Sequence, residues 1–369
     1  MRAAVVDLFC GIGGLSYGFK REGFQVKAGV DSDPTCRFAF ETNVGAPFLA
    51  QDIRKLSGLQ VSRLLDTAKC DYRVLIGCAP CAPFSLYTSR YRKAKQRDTK
   101  KKWQLLKEFS RLIPAAKADV ISMENVPRLR HHPIFRQFVA GLQRAGYTVS
   151  HYHVRADHYG VPQRRSRLVL FASKFGKVEM VAETHRDSPV TVRATIGKLP
   201  KIKAGFPCRS DRLHVSRGLT QKNLFRLMST REGGSWRDWP ESLRLNCHKR
   251  HKGRSFRSVY GRMRWNAVGP VITTECLGIG NGRFGHPKQH RAISIREAAL
   301  LQTFPKKFKF VPPREPVIGL HLARQIGNAV PVRLAQIIAR SIKNHLNAAA
   351  AAASQQRASR RSKRRRRDL

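Results

Sequence analysis

Apolar positions in the first 175 residues fall into short runs separated by helical stripes. Residues 3–9 form a mostly apolar run closed by Cys10-Gly11-Ile12-Gly13-Gly14, and residues 15–21 behind it read as a helix. Residues 24–30 alternate like a second strand and end in Asp31. Residues 74–76 predict a strand leading into Gly77-Cys78-Ala79-Pro80-Cys81-Ala82-Pro83-Phe84-Ser85. Apolar positions 105, 106, 109, 112 and 113 predict a helix over 103–113 that stops at Pro114. Residues 120–123 predict a strand running into Glu124-Asn125-Val126. Strands alternating with helices predict an α/β fold built on a doubly wound, largely parallel sheet.

Periodicity fades after Phe175. Residues 176–289 carry Gly, Pro, Arg, His and Trp without a long repeat, which predicts a small irregular domain. Helical periodicity returns over 294–302 and 322–345 and predicts that the chain packs back on the first domain. Six alanines at 348–353 extend the last helix or begin a linker, and the Arg-rich segment behind them is expected to be disordered. The domains expected are therefore 1–175 with 290–347, then 176–289, then a linker and tail over 348–369.

Charge adds a partner. The 369 residues hold 71 Lys and Arg against 24 Asp and Glu, a net +47, so a polyanion or an anionic membrane is implied as partner, with nucleic acid the commoner choice. The tail over 354–369 contributes only +7, and the remaining +40 makes the basic character global. Two stretches concentrate it: 90–107 with nine Lys/Arg and one Asp, and 242–274 with eight Lys/Arg and no acid. A hydrophobic content of 41% excludes a mostly disordered chain. Eight cysteines with no signal peptide and no apolar run near 18 residues suit reduced thiols in a cytosol, and no membrane partner is expected. Cys78 and Cys81 have no second close pair to complete a zinc spacing, so no metal is expected.

Several residues stand where chemistry collects. The Gly11-Ile12-Gly13-Gly14 turn lets backbone approach a ligand, and Asp31 at a strand end can accept from both ribose hydroxyls, although glycines also make ordinary turns and a dinucleotide would fit as well. Cys81 at a strand end, followed by cations, suits a nucleophilic thiolate; a buried structural cysteine or a Cys78-x-x-Cys81 redox pair are the alternatives. Glu124 at another strand end suits a general acid or a plain surface carboxylate. Arg165 and Arg167 alternate in an extended segment and suit carbonyl or phosphate recognition, or solvent.

The order of these features is specific. Asp7-Leu8-Phe9-Cys10-Gly11-Ile12-Gly13-Gly14, Pro80-Cys81, Glu124-Asn125-Val126, Gln163-x-Arg165-x-Arg167, residues 296–305 (REAALLQTFP) and 326–331 (IGNAVP) together resemble the DNA (cytosine-5)-methyltransferase family of the bacterial restriction-modification type. The resemblance runs from residue 3 to about residue 340. It implies a Rossmann-like S-adenosylmethionine-dependent methyltransferase fold, with 176–289 as target-recognition domain and double-stranded DNA in a basic cleft.

By the same resemblance the cofactor is S-adenosyl-L-methionine, held by Phe9, Gly11, Gly13, Asp31, Asp52, Ile53, Pro80 and Asn328. Cys81 matches the nucleophile that adds to cytosine carbon 6, Glu124 the acid at N3, Arg165 the group on the O2 carbonyl, and Arg167 a residue that holds the site. Residues 85–102 match the closing loop, with Arg90, Arg92, Lys93, Lys95 and Arg97 on phosphates. The implied enzyme is a monomer in the cytoplasm, associated with the nucleoid; whether a cognate restriction endonuclease acts on the same site stays open. One departure is Ala82, where glutamine commonly follows the nucleophile. The alternatives are an RNA (cytosine-5) methyltransferase and a catalytically silent DNA-binding protein.

Overall fold

The computed structural model describes residues 2–66, 70–80, 96–250 and 253–365. Seven strands form one mixed sheet: β1 (Ala3–Leu8), β2 (Gln25–Asp31), β3 (Phe48–Ala50), β4 (Tyr72–Gly77), β5 (Val120–Asn125), β6 (Thr148–Arg155) and β7 (Ser166–Ser173), in the order β3-β2-β1-β4-β5-β7-β6. β1 pairs in parallel with β2 and β4, β2 with β3, and β4 with β5; β7 runs antiparallel to β5. β1 is buried along its whole length, as a central strand covered on both faces must be, and its five apolar residues out of six follow from that.

Helices α1 (Gly14–Arg21), α2 (Arg37–Val44), α3 (Gly58–Leu65), α4 (Gln96–Ala116) and α5 (Pro133–Arg144) follow the strands. Ser57 and Gln60 close a capping box on α3, and Val61 and Leu65 present its apolar face. Those side chains join Leu75, Ile121, Phe109, Leu112 and Phe138 in one core. The strand order reverses between β1 and β4, where Leu8 pairs with Gly77, so the carboxyl ends of β1, β2, β4 and β5 lie along one edge. That reversal is where open α/β sheets gather ligands.

The chain divides into two compact units. One comprises Met1–Val154, Ser166–Ala182 and Ala335–Leu369; the other comprises Arg155–Arg165 and Glu183–Leu334. The second holds short helices, α6 (Val192–Ile196), α7 (Gln221–Met228), α8 (Asn246–Lys249), α9 (Ile295–Leu301) and α10 (Gly319–Asn328), with isolated bridges such as Arg262–Gly285. Buried arginines replace the missing ladders. The Arg262 guanidinium donates to the carbonyls of Leu227, Thr230, His286 and Gln289, and Arg291 makes a two-pronged ion pair with Glu297 at 2.7 Å on each arm. Arg262 satisfies buried carbonyls that irregular backbone leaves open, and Arg291 satisfies the buried Glu297 carboxylate.

Four expectations need correction. The helix expected to stop at Pro114 continues to Ala116, because Leu112, Ile113 and Ala116 are buried and their packing outweighs the hydrogen bond that proline removes. The span 322–345 is two helices, α10 and α11 (Val332–Arg365), since Pro331 holds Val330 out of helical geometry. Residues 290–334 cluster with the irregular unit, tied by contacts such as Arg296 to Asp211, instead of with the sheet. Of the two readings of 348–353, extension of the helix holds and the linker does not, and the Arg-rich segment expected to be disordered is helical to Arg365; alanine has the strongest intrinsic helix preference.

Candidate active site

The turn after β1 is shaped by three positive backbone angles. Phe9 sits at φ 64°, Gly11 at 49° and Gly13 at 87°. Only glycine adopts these values without strain, so the left-handed Phe9 is the costly member. The backbone N–H groups of Phe9 and Cys10 donate to the Val30 carbonyl at 2.8 and 3.1 Å, which binds the turn to β2. A Cβ on Gly13 would come within 2.9 Å of Val44 and 3.0 Å of Phe40, whereas one on Gly11 would meet nothing within 4 Å. Gly13 thus serves packing, and Gly11 faces open space.

Asp31 is held beside that space. Its Oδ2 accepts from the Gly11 N–H at 2.8 Å and its Oδ1 from the Asp33 N–H at 2.9 Å. Burial holds its carboxyl above the ordinary aspartate range. Behind the turn Asp7 is fully buried, and burial, with Asp31 nearby, raises its carboxyl to about 7, against a Ser16 hydroxyl that donates at 2.5 Å. Burial next to Asp7 and Asp31 likewise pushes the Cys10 thiol far up, so it stays protonated and inert.

Asp52 and Ile53 follow β3. Asp52 caps the turn at Ile53–Lys55 and is clasped by the Arg54 guanidinium, which holds its carboxyl down at about 2; Ile53 is buried.

The ends of β4 and β5 carry the second group. Glu124 is 97% buried, and the Arg167 Nε lies 2.8 Å from its Oε1. The Cys78 thiol donates to Oε2 at 2.9 Å. Asn125 donates to the Ala79 carbonyl at 2.9 Å and fixes the chain entering Pro80, which is half-buried. Cys81 and residues 82–95, which include Arg90, Arg92, Lys93 and Lys95, lie outside the described residues.

The structure therefore gathers Phe9, Gly11, Gly13, Asp31, Asp52, Ile53, Pro80, Glu124 and Arg167 in the sheet unit. Arg165 and Asn328 belong to the other unit, and there they are neighbours. Arg165 is buried and donates to the carbonyls of Ile272 and Ala329, both at 3.4 Å, while Asn328 ends α10 with its side chain exposed. Gln302 braces the same turn by donating to the carbonyls of Ile326 and Ala329 at 2.6 and 3.1 Å. Gln163 in turn donates to Gln302 at 2.7 Å and accepts from the Ile272 N–H at 3.1 Å.

Sequence reasoning missed the roles of Cys78, Asn125, Asp7 and Gln302. Their spacing carries no signal, because each partner is remote or lies behind a turn.

A model of C-5 cytosine-specific DNA methylases matches residues 3–344. The chain belongs to that family. It is a DNA (cytosine-5)-methyltransferase, and S-adenosylmethionine is its methyl donor. The Type II methylase M.HgiDII of Herpetosiphon aurantiacus is 47% identical over 350 residues, covering 94% of this chain and 96% of that protein. The Type II methyltransferase M1.HphI of Haemophilus parahaemolyticus is 31% identical over 93% of this chain and 87% of its own. A solved structure from E. coli, described as that of a DNA modification methyltransferase by assignment and encoded within a prophage, superposes with a TM-score of 0.70 at 23% identity, covering 94% of this chain and 99% of that one, a likeness of fold.

The residues of the methyltransferase fit its cofactor. Asp31 presents a carboxyl pinned by backbone N–H groups, Gly11 leaves room beside it, and the buried Asp7 has an oxygen with no hydrogen-bond partner among the described residues. Acidic groups behind the turn suit a ligand that carries positive charge. Among the described residues, no helix is long and apolar enough to cross a membrane.

Proposed function

We propose that this methyltransferase flips its target cytosine out of duplex DNA and adds Cys81 to carbon 6 of the ring. The observation that carries the reading is the buried Glu124 with Arg167 at 2.8 Å, at the end of the strand next to the one that leads to Pro80 and Cys81. Carbon 5 of cytosine is a weak nucleophile, and thiolate addition at carbon 6 supplies the electron density it lacks. Negative charge then develops on the ring. Glu124 gives its proton to N3 as that charge forms, and Arg167 stabilises the carboxylate left behind. Arg165 donates to the O2 carbonyl and Arg167 keeps Glu124 in place.

Bound S-adenosylmethionine supplies an electrophilic methyl group. Phe9, Gly11, Gly13, Pro80 and Asn328 bound its site, Asp31 accepts from the ribose, and Asp52 with Ile53 meets the adenine. A carboxylate has about four acceptor positions, so Asp52 can accept from an adenine amine while Arg54 stays on it. After methylation, carbon 5 gives its proton to solvent water, the C5–C6 double bond re-forms as Cys81 leaves as thiolate, and N3 returns its proton to Glu124.

Unstacking the base costs a few kcal/mol, which contacts elsewhere on the duplex offset. The irregular residues 176–289 serve as target reader, and residues 85–102, of which 96–102 form the start of α4, as the closing segment. Both similar proteins are Type II by name, and we extend this to a monomeric enzyme in the cytoplasm, on the nucleoid, whose duplex site is shared with a restriction endonuclease.

The test uses duplex DNA carrying 5-fluorocytosine at the site found by bisulfite sequencing. Fluorine cannot leave carbon 5 as a cation, so the adduct should persist through denaturing electrophoresis and vanish in Cys81→Ser. A methylating Cys81→Ser variant would refute the mechanism.

A further inference from the structure

Cys78 is a thiol beside the proposed acid to which the reaction assigns no part. It sits one residue past β4, three before Cys81, and its backbone N–H donates to the Leu8 carbonyl at 3.3 Å, so its position is set by the sheet itself. Its Sγ lies 2.9 Å from Glu124 Oε2, while Arg167 Nε lies 2.8 Å from Oε1. Within one buried carboxyl, Oε2 thus accepts a hydrogen bond from the thiol while Oε1 makes an ion-pair contact with Arg167, the two partners coming from different strand ends. A residue buried this deeply gains orientation from such partners, since no water competes for either oxygen.

We infer that Cys78 is a positioning residue for methyl transfer, its thiol fixing the Glu124 carboxyl and stabilising the carboxylate formed when the proton passes to N3. The inference rests on Glu124 being the acid of the reaction. In that step the Glu124 O–H bond breaks, the N3–H bond forms, and the electron pair stays on the glutamate. The thiol keeps its own proton throughout and is neither oxidised nor reduced. One oxygen accepts two hydrogen bonds, so the thiol occupies one direction of Oε2 and leaves the other for the base. The group that sequence alone offers as half of a redox pair is, in the fold, a donor to the acid.

The size of the effect follows from chemistry. S–H is a weak donor, and a hydrogen bond to a charged acceptor is strong, so the net influence is about that of one ordinary hydrogen bond, about fivefold in rate.

A double-mutant cycle with single-turnover methylation of duplex DNA tests this, alongside DNA affinity and thermal melting of each variant. Cys78→Ala should slow transfer about fivefold with DNA affinity and melting temperature unchanged, and Cys78→Ser, which keeps a donor, should recover most of the rate. In a Glu124→Gln background, where no carboxylate forms, Cys78→Ala should add no further loss. An unchanged rate in Cys78→Ala, or the same loss in both backgrounds, would overturn the positioning role while leaving Glu124 as acid. Equal, complete loss in Cys78→Ala and Cys78→Ser would also overturn it. Full activity in Glu124→Gln would instead overturn the assignment of the acid.

Discussion

Asn125 donates from Nδ2 to the carbonyl oxygen of Ala79, 2.9 Å away and 46 residues earlier in the chain. Its own Oδ1 accepts from the Val126 N–H at 2.9 Å, so one buried amide ties the end of β5 to the segment entering Pro80. Asn125→Ala would leave the Ala79 carbonyl without this donor, at about 1–3 kcal/mol. The single-turnover rate should fall at least about tenfold through misplacement of Cys81, the nucleophile proposed above. Retention of full rate in a folded Asn125→Ala protein would show that the bond does not position the loop.

Gly18 permits a close crossing. A Cβ there would lie 2.3 Å from the Ala335 Cβ and 2.9 Å from its backbone. Alanine is the better helix former by about 1 kcal/mol, yet the clash should outweigh it and Gly18→Ala should destabilise the protein by about 1–3 kcal/mol. Chemical denaturation checks the sign, and a more stable variant would mean that α11 shifts freely on α1.

Asp7 predicts a pH dependence of stability. Burial raises its carboxyl from 3.8 to about 7, so between those values the native protein keeps a proton that the unfolded chain has released. Stability from this group is therefore complete at low pH, declines as pH rises through that window by up to about 1.4 kcal/mol per unit, and levels off above 7. Asp7→Asn keeps an acceptor for Ser16 and should remove that component of the slope. Thermal melts from pH 5 to 8 that fall equally in both proteins would contradict the assignment.

The tail should act through charge. Residues 354–369 carry +7, and helical backbone extends to Arg365. Deleting them should flatten the dependence of DNA affinity on salt by about two units or more of log-log slope, while bisulfite sequencing returns the same methylated site. An altered site would show that the tail reads bases.

Much of the sheet unit was legible in sequence. β1, β2, β4 and β5 announce themselves through local apolar runs, and Gly11, Gly13, Asp31 and Glu124 fall at strand ends. What stayed hidden is what depends on distant pairing. The antiparallel β7, the thiol of Cys78 on Glu124 and the amide of Asn125 on Ala79 arise only once β4, β5 and β7 lie side by side. The irregular unit gave least, because Arg262 holds it together through carbonyls, and a carbonyl is present at every residue.

The packing of α11 on α1 also sets an order of assembly during synthesis. Glu22, at the end of α1, accepts from Arg340 at 2.9 Å and from Gln336 at 3.2 Å, and Lys343 donates to its carbonyl at 2.9 Å. The nascent sheet therefore waits, with the groove over Gly18 open, until more than 300 residues later α11 leaves the ribosome to fill it. A ribosome stalled anywhere in the irregular unit would present a first unit with α1 still uncovered to chaperones and proteases.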